Sequence, residues 1–546
     1  MVRDYGADAA ARKRDVLGRL APARLTRARE VERLHECLCF LRAYPDDRAT
    51  LDLVERLLER FSRRADVRRH AGRLSNTGIA GTAIEFRFYW RMARWIVERW
   101  PDRLHVDWSE FDRADRLGER LDLLGSYAET PAFDEFDRPP REWVRRMRGP
   151  GETDAACLVR LFEGIPAEDP WRERMFEDLD TPFRLEPGPG TPSRTLARLA
   201  ASPVYFRRTP LARARPDLRV EVERPPLLRA VGRSRGLRIV NLAREAMATR
   251  ARDLDVFANA DPRDVRIAAC GGGLELACIG VVPERRLLLE SVYGILMLQN
   301  GVPIGYSLAS ALFGSSEIAF NVFDTFRGAE AGAVFGRVLA TVRCLLGSDT
   351  FCIDPFQLGH ENAEGLRSGA WWFYYKLGFR PRDAKVRGLV RRELRAMRAE
   401  PGYRSSVATL RRLVVAELYW HTGRPRDDVL GRLSPGRVGD RIQALLALRA
   451  GGDRPAGLRA FSGDARRRLG VRSLDGFTKG ERLAWDRWSP LVALLPEVDR
   501  FSAAERRALV GIIRAKGGPR ESEFVARFDG HARLRAAIRA LARPGG

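Results

Sequence analysis

The stretch FNVFDTFRGAEAGAVFGRVL, Phe320 to Leu339, combines residue types and spacing that suit anion chemistry. A strand ending near Phe323 turns through Asp324-Thr325-Phe326-Arg327-Gly328, and a helix starts by Gly332. At such a start the first backbone N–H groups have no partner in their own helix, and the macrodipole adds attraction for a negative group. Gly328 and Gly332 allow close approach of the backbone. By itself the segment reads either as a phosphate cradle or as a plain glycine turn. Three other groups compete with it. Asn76 to Thr82 is a small-residue loop opening a helix, either an anion site or an N-cap turn. His35, Cys37 and Cys39 put three metal-ligating side chains close together, but no matching pair follows, so they read as packed helix residues and no metal is expected. His360-Glu361-Asn362 reads as an acceptor contact or a surface loop.

About forty residues after the turn stands AWWFYYKLGFRP, Ala370 to Pro381. Over roughly residues 260–395 the two segments together resemble the GNAT superfamily of N-acetyltransferases. The family's phosphate motif reads Arg/Gln-x-x-Gly-x-Gly/Ala, and Arg327 takes its first place and Gly332 its last. Its late helix often reads A-x-x-L/F-Y-x-K-x-G-F, matched by Ala370, Phe373, Tyr374, Lys376, Gly378 and Phe379. The resemblance implies acetyl-CoA as donor, held by Arg327, Gly328, Ala329, Ala331, Gly332 and Ala333, with direct attack of an amine on the thioester and no metal. It also implies Tyr374 as the acid that protonates the departing thiolate, suited by an ordinary pKa near ~10. Glu317 becomes the base that deprotonates the amine through water. Taken as residues alone, Glu317 is equally a solvated strand start, and Tyr374 an aromatic packed under the sheet beside Trp371, Trp372, Phe373 and Tyr375.

Two departures from the family pattern stand out. Glu330 replaces the middle glycine of the phosphate motif, setting a carboxylate where a pyrophosphate would lie unless the side chain turns outward. Asp354 to Asn362 lengthens the loop before the late helix, either as an acceptor-site element or as a longer helix entry. The first function reading is therefore a GNAT-like N-acyltransferase with an unidentified amine acceptor, whose bulk the helical flanks suggest is macromolecular. The alternatives are a degenerate GNAT fold acting as an interaction scaffold, an aminoacyl-tRNA-dependent transferase similar to the peptidoglycan-bridge enzymes, and a nucleic-acid-associated protein using basic flanks.

The elements that must position these residues form a multidomain chain of α and α/β parts, with a mixed-sheet α/β domain between helical domains. Residues 1–130 read as helical: Leu51, Val54 and Leu58 mark one buried stripe, and a second helix running to Pro101 is lined by Ile84, Phe88, Met92, Trp95 and Ile96. Residues 131–236 read as short helices and linkers, with breakers at Glu186–Pro192 and Pro225-Pro226. Residues 237–395 read as the catalytic domain: a helix, an apolar meander with an Asn300-Gly301 hairpin turn, then a helix over Ala331–Leu346, a strand from Thr350, a helix over Glu364–Leu377 and a strand from Phe379. Residues 396–546 read as helical again.

Composition limits the remaining classes. The 546 residues carry 96 Lys and Arg against 72 acids, a formal +24, with 45% hydrophobic residues, enough for sizeable cores. Residues 203–238 hold ten arginines against three acids, and residues 380–412 hold ten arginines and Lys385 against three acids. These segments flank the expected catalytic domain, and with few aromatics they suit phosphate or coenzyme better than stacked bases. Seven cysteines imply no disulfide framework, and the uncharged run Ser291–Ser316 is broken by Gln299, Asn300, Gly301 and Pro303. The expectation is a cytoplasmic protein without a membrane span.

Overall fold

The computed structural model describes residues 2–165, 171–212, 214–252, 254–328 and 330–542. They form two compact units, neither continuous in sequence: one comprises Met1–Leu211, Arg238–Asn259 and Gln299–Ile304, and the other Ala212–Leu237, Ala260–Leu298 and Gly305–Gly546. Of the boundaries expected from sequence, 236 lies one residue from a unit edge at Leu237/Arg238, whereas 130 and 395 fall inside the first and second units.

The first unit holds two apolar cores. One lies among the helices Ala7–Leu20, Ala28–Ala43 and Arg48–Glu59 and includes Leu17, Leu34, Leu38, Val54 and Leu58. The third helix starts where Asp47 caps it, accepting the Thr50 N–H at 2.7 Å. The other core surrounds the helix Trp90–Arg99 and a three-stranded antiparallel sheet, β1 (Ile84–Phe86), β2 (Leu104–Val106) and β3 (Phe183–Leu185), in the order β1-β3-β2. Here the expected long helix is corrected. Ile84 and Phe88 are four apart, as on a helix, but Ile84, Phe86 and Phe88 also alternate, and pairing with β3 selects the strand. That partner comes from the region read as irregular.

The second unit is an α/β body that holds a nine-stranded mixed sheet except for its Gln299–Ile304 hairpin tip, which belongs to the first unit. The strands of the sheet are β4 (Leu227–Ala230), β5 (Ala260–Gly271), β6 (Leu274–Val281), β7 (Ser291–Gln299), β8 (Val302–Leu312), β9 (Ser315–Val322), β10 (Thr350–Ile353), β11 (Arg380–Pro381) and β12 (Leu418–His421). They lie in the order β11-β12-β10-β9-β8-β7-β6-β5-β4. Asn300 (φ 48°) and Gly301 (φ 76°) both adopt the left-handed backbone that a tight type I′ turn demands. The helix Ala331–Leu346 has its expected bounds and buries Phe335, Val338, Leu339 and Val342. The helix expected over Glu364–Leu377 is instead two, Ala363–Ser368 and Ala370–Lys376, separated by Gly369 at φ 67°.

The stretch from 396 onward is not wholly helical. β12 inserts between β10 and β11, pairing antiparallel to both, so the sheet is completed by residues read as part of a helical domain. Four residues are too few to show a period, which is why Leu418-Tyr419-Trp420-His421 gave no strand signal. Helices from Pro435 to Leu541 follow. Among the described residues no helix is long and apolar enough to cross a membrane.

Candidate functional site

β9 ends at Val322, a short turn covers Asp324–Phe326, and Gly328 (φ 76°) and Glu330 (φ 41°) bend the backbone through left-handed conformations into the helix Ala331–Leu346. No side chain caps that helix start, and the first N–H groups of a helix have no acceptor within it. A cleft of about 760 Å³ opens against it, lined by Glu330, Ala331 and Gly332 on one side. Trp372, Phe373 and Lys376 contribute from the helix Ala370–Lys376, and Ala212, Ala214, Arg215 and the segment 402–405 complete the walls.

Its charge is predominantly positive. Lys376, Arg215 and Arg404 all line the cleft, and the Lys376 pKa is lowered by burial and then by the charges of Arg215 and Arg404. A cation held among cations gains from an anion placed between them. The one carboxylate in the lining, Glu330, accepts the Ala212 N–H at 3.1 Å through Oε1. The far wall is fixed by a chain of hydrogen bonds. Trp372 Nε1 donates to Ser405 Oγ at 3.0 Å, and both the Ser405 hydroxyl (2.6 Å) and the Tyr403 hydroxyl (3.1 Å) donate to the buried Glu393 Oε2.

The strands behind the turn also matter. β9 and β10 run parallel with Thr350 opposite Ser315, Phe351 opposite Ser316 and Cys352 opposite Glu317, and among the described residues their register stops there. Glu317 is half-buried, and burial followed by the charges of Asp354, Glu290 and Glu417 pushes its carboxyl up to about 7. A carboxyl near that value takes and releases protons at neutral pH.

The residues singled out from sequence are distributed as follows. Gly328, Ala331 and Gly332 line the cleft; Ala333 lies in the first turn of the same helix but outside the lining; Ala329 lies outside the described residues. Gly332 is also a packing position, since a Cβ there would stand 3.1 Å from Pro216 Cδ. Arg327 does not enter the lining: it pairs with Asp324 at 2.8 Å and with Glu364. Tyr374 is buried, its ring 5.4 Å from Phe335, 5.1 Å from Phe373 and 5.9 Å from Phe379 between centroids, and burial pushes its hydroxyl pKa up.

The weaker candidates take structural places. His35 Nε2 lies 2.8 Å from Thr195 Oγ1, and Asn76 Oδ1 accepts the N–H of Glu85 in β1. Asn362 caps the helix Ala363–Ser368 through the Gly365 N–H, while His360 is exposed. Among the described residues no group of three or more His, Cys, Asp or Glu is placed to hold a metal.

Three cleft cations were not assigned from sequence. Arg215 and Arg404 sit in the two basic segments, and Lys376 in the late-helix motif, so each had a local signal. Their convergence had none. Comparison with protein-family models, curated proteins and solved structures finds no match to the chain.

Proposed function

We propose that the second unit carries a GNAT-like N-acyltransferase that transfers an acetyl group from acetyl-CoA to an amine. The observation that carries this reading is the cleft itself: an uncapped helix start facing Lys376, Arg215 and Arg404. That donor set suits the phosphates of a coenzyme. Glu330 is the residue least suited to it, and its bond to the Ala212 N–H offsets part of that conflict.

When bound, acetyl-CoA supplies the thioester. Glu317, at the point where β9 and β10 part, takes the proton that an ammonium must lose before its nitrogen can attack. As the C–S bond of the donor breaks, Tyr374 would give its proton to the leaving sulfur and be restored by the second proton that the nitrogen must lose. Neither Tyr374, packed among Phe335, Phe373 and Phe379, nor Glu317 lines the cleft, so their two roles rest on the family resemblance. The cations and the helix start hold the phosphates and orient the thioester, and no bond to the protein forms.

Calorimetry with acetyl-CoA tests the reading. Binding is expected, with a Lys376→Met loss of roughly tenfold or more, as for one charge-assisted hydrogen bond. No heat at millimolar acetyl-CoA overturns it. A second reading, a GNAT-like scaffold without coenzyme, is favoured by Arg327, which is paired to Asp324 and Glu364 outside the cleft lining; absence of binding supports that one.

A further inference from the structure

The helix Ala384–Ala399 shares the cleft's rim, contributing Met397 to its lining. Its inner face buries Val386, Leu389, Val390 and Glu393. Its outer face exposes Arg387, Arg391, Arg395 and Arg398. With 3.6 residues per turn these four lie within about 80° of arc, and the stripe is about 16 Å long.

The four differ from the arginines that the fold holds in ion pairs. Elsewhere arginines pair repeatedly with carboxylates, as Arg426 does with Asp349 and Asp428, and Arg120 with Asp178. Among the described residues none of the four has a carboxylate partner. Of the acids nearby, Asp383 caps the helix by accepting the Val386 N–H at 2.8 Å and Glu393 holds Tyr403 and Ser405, while the exposed Glu400 directly follows the last helical residue. Four like charges at helical spacing repel one another, and that repulsion is relieved when an anionic ligand lies along them. The exposed large apolar residues do not include any on this helix, so the stripe lacks the apolar centre of a protein–protein interface. It also lacks aromatics for base stacking. What remains is a row of planar guanidinium forks, whose geometry matches phosphate.

We propose that the outer face of the helix Ala384–Ala399 is a sequence-independent binding edge for the phosphodiester backbone of a nucleic acid, running beside the rim of the cleft. This stands apart from the acyl-CoA reading, because it rests on residues that do not line the cleft.

The test is fluorescence anisotropy of a labelled mixed-sequence 20-nucleotide RNA with the full-length protein across a salt series. Arg387→Gln, Arg391→Gln, Arg395→Gln and Arg398→Gln combined should weaken binding at least tenfold and flatten the log–log salt slope by about 3, from ~0.7 per phosphate contact on a single strand. The same four positions changed to Lys should keep most of the affinity. A charge-matched control carrying Arg454→Gln, Arg459→Gln, Arg472→Gln and Arg507→Gln, all exposed in the wild type, should bind as the wild type does. Equal losses in the control would show that total charge alone attracts RNA, and would overturn the proposal. So would absence of RNA binding, or displacement by poly-glutamate of equal charge as effective as by unlabelled RNA, which would indicate an acidic protein partner. Acetyl-CoA calorimetry on the four-glutamine variant should be unchanged, so that failure of one reading is distinguishable from failure of the other.

Discussion

Glu317 and Cys352 are the last residues at which β9 and β10 share a parallel register. Beyond them β9 continues to Val322, whereas β10 ends at Ile353. A half-buried carboxyl therefore stands where two neighbouring strands part, and three further acids, Asp354, Glu290 and Glu417, raise its proton affinity. Cys352 opposite it has a thiol pushed up by burial and then by the charges of Glu317, Glu417 and Asp354.

Glu317 makes stability depend on pH. Its folded pKa of about 7 is raised from 4.5, so between those values the folded state holds a proton that the unfolded chain releases. Stability contributed by this group is present below about 4.5 and is lost as pH rises through about 7. Glu317→Gln removes the penalty and should stabilise the protein at pH 8, relative to wild type, by up to about 3 kcal/mol. Denaturant midpoints at pH 4 and pH 8 check this; identical pH dependence in variant and wild type rules it out.

Tyr374 separates packing from proton transfer. Phenylalanine keeps the ring among Phe335, Phe373 and Phe379, so Tyr374→Phe should leave the melting temperature and acetyl-CoA affinity nearly unchanged. If its hydroxyl protonates the leaving thiolate, turnover should fall about 100-fold. An unchanged rate removes this tyrosine from the mechanism.

Gly301 is required twice over. Its φ is 76°, and a Cβ there would stand 2.1 Å from the Leu199 carbonyl oxygen. Gly301→Ala should therefore cost at least ~2 kcal/mol in the first unit. Gly347 has φ 68° but open space around it, so Gly347→Ala should cost only about 1 kcal/mol. Thermal unfolding of the two variants side by side tests the difference.

Lys516 and Glu521 form a buried ion pair at 2.6 Å, 4% and 1% exposed at their side chains. Lys516 also donates to the Glu290 carbonyl, and Glu521 lies near Arg286. Lys516→Met leaves a buried carboxylate without its nearest cation and should destabilise by about 3–5 kcal/mol. The double variant Lys516→Met/Glu521→Gln should recover part of that loss; additive losses would show that the two groups act independently.

The parts legible in the sequence were those whose cause is local. Ala331 to Leu346 repeats apolar residues at helical spacing and ends on Gly347, and it folds with the expected bounds. Asn300-Gly301 marks its own turn through backbone preference alone. The glycine-bearing turn before Ala331 likewise lies where the residues placed it, and its Gly328 lines the cleft together with Ala331 and Gly332 of the helix that follows.

What the chain decided only in three dimensions depends on partners distant in sequence. Ile84 to Phe86 fits either a helix stripe or a strand until β3 pairs with it. Leu418 to His421 becomes a strand because β10 and β11 offer free edges on either side. Lys376, Arg215 and Arg404 are spread over 190 residues, and only folding brings their charges into one cleft. Local backbone preference and side-chain periodicity act over one or two turns and so are written in the sequence. Strand pairing, burial and charge convergence are set by whichever distant surfaces hide the most apolar area while satisfying backbone hydrogen bonds, so only the tertiary structure reveals them.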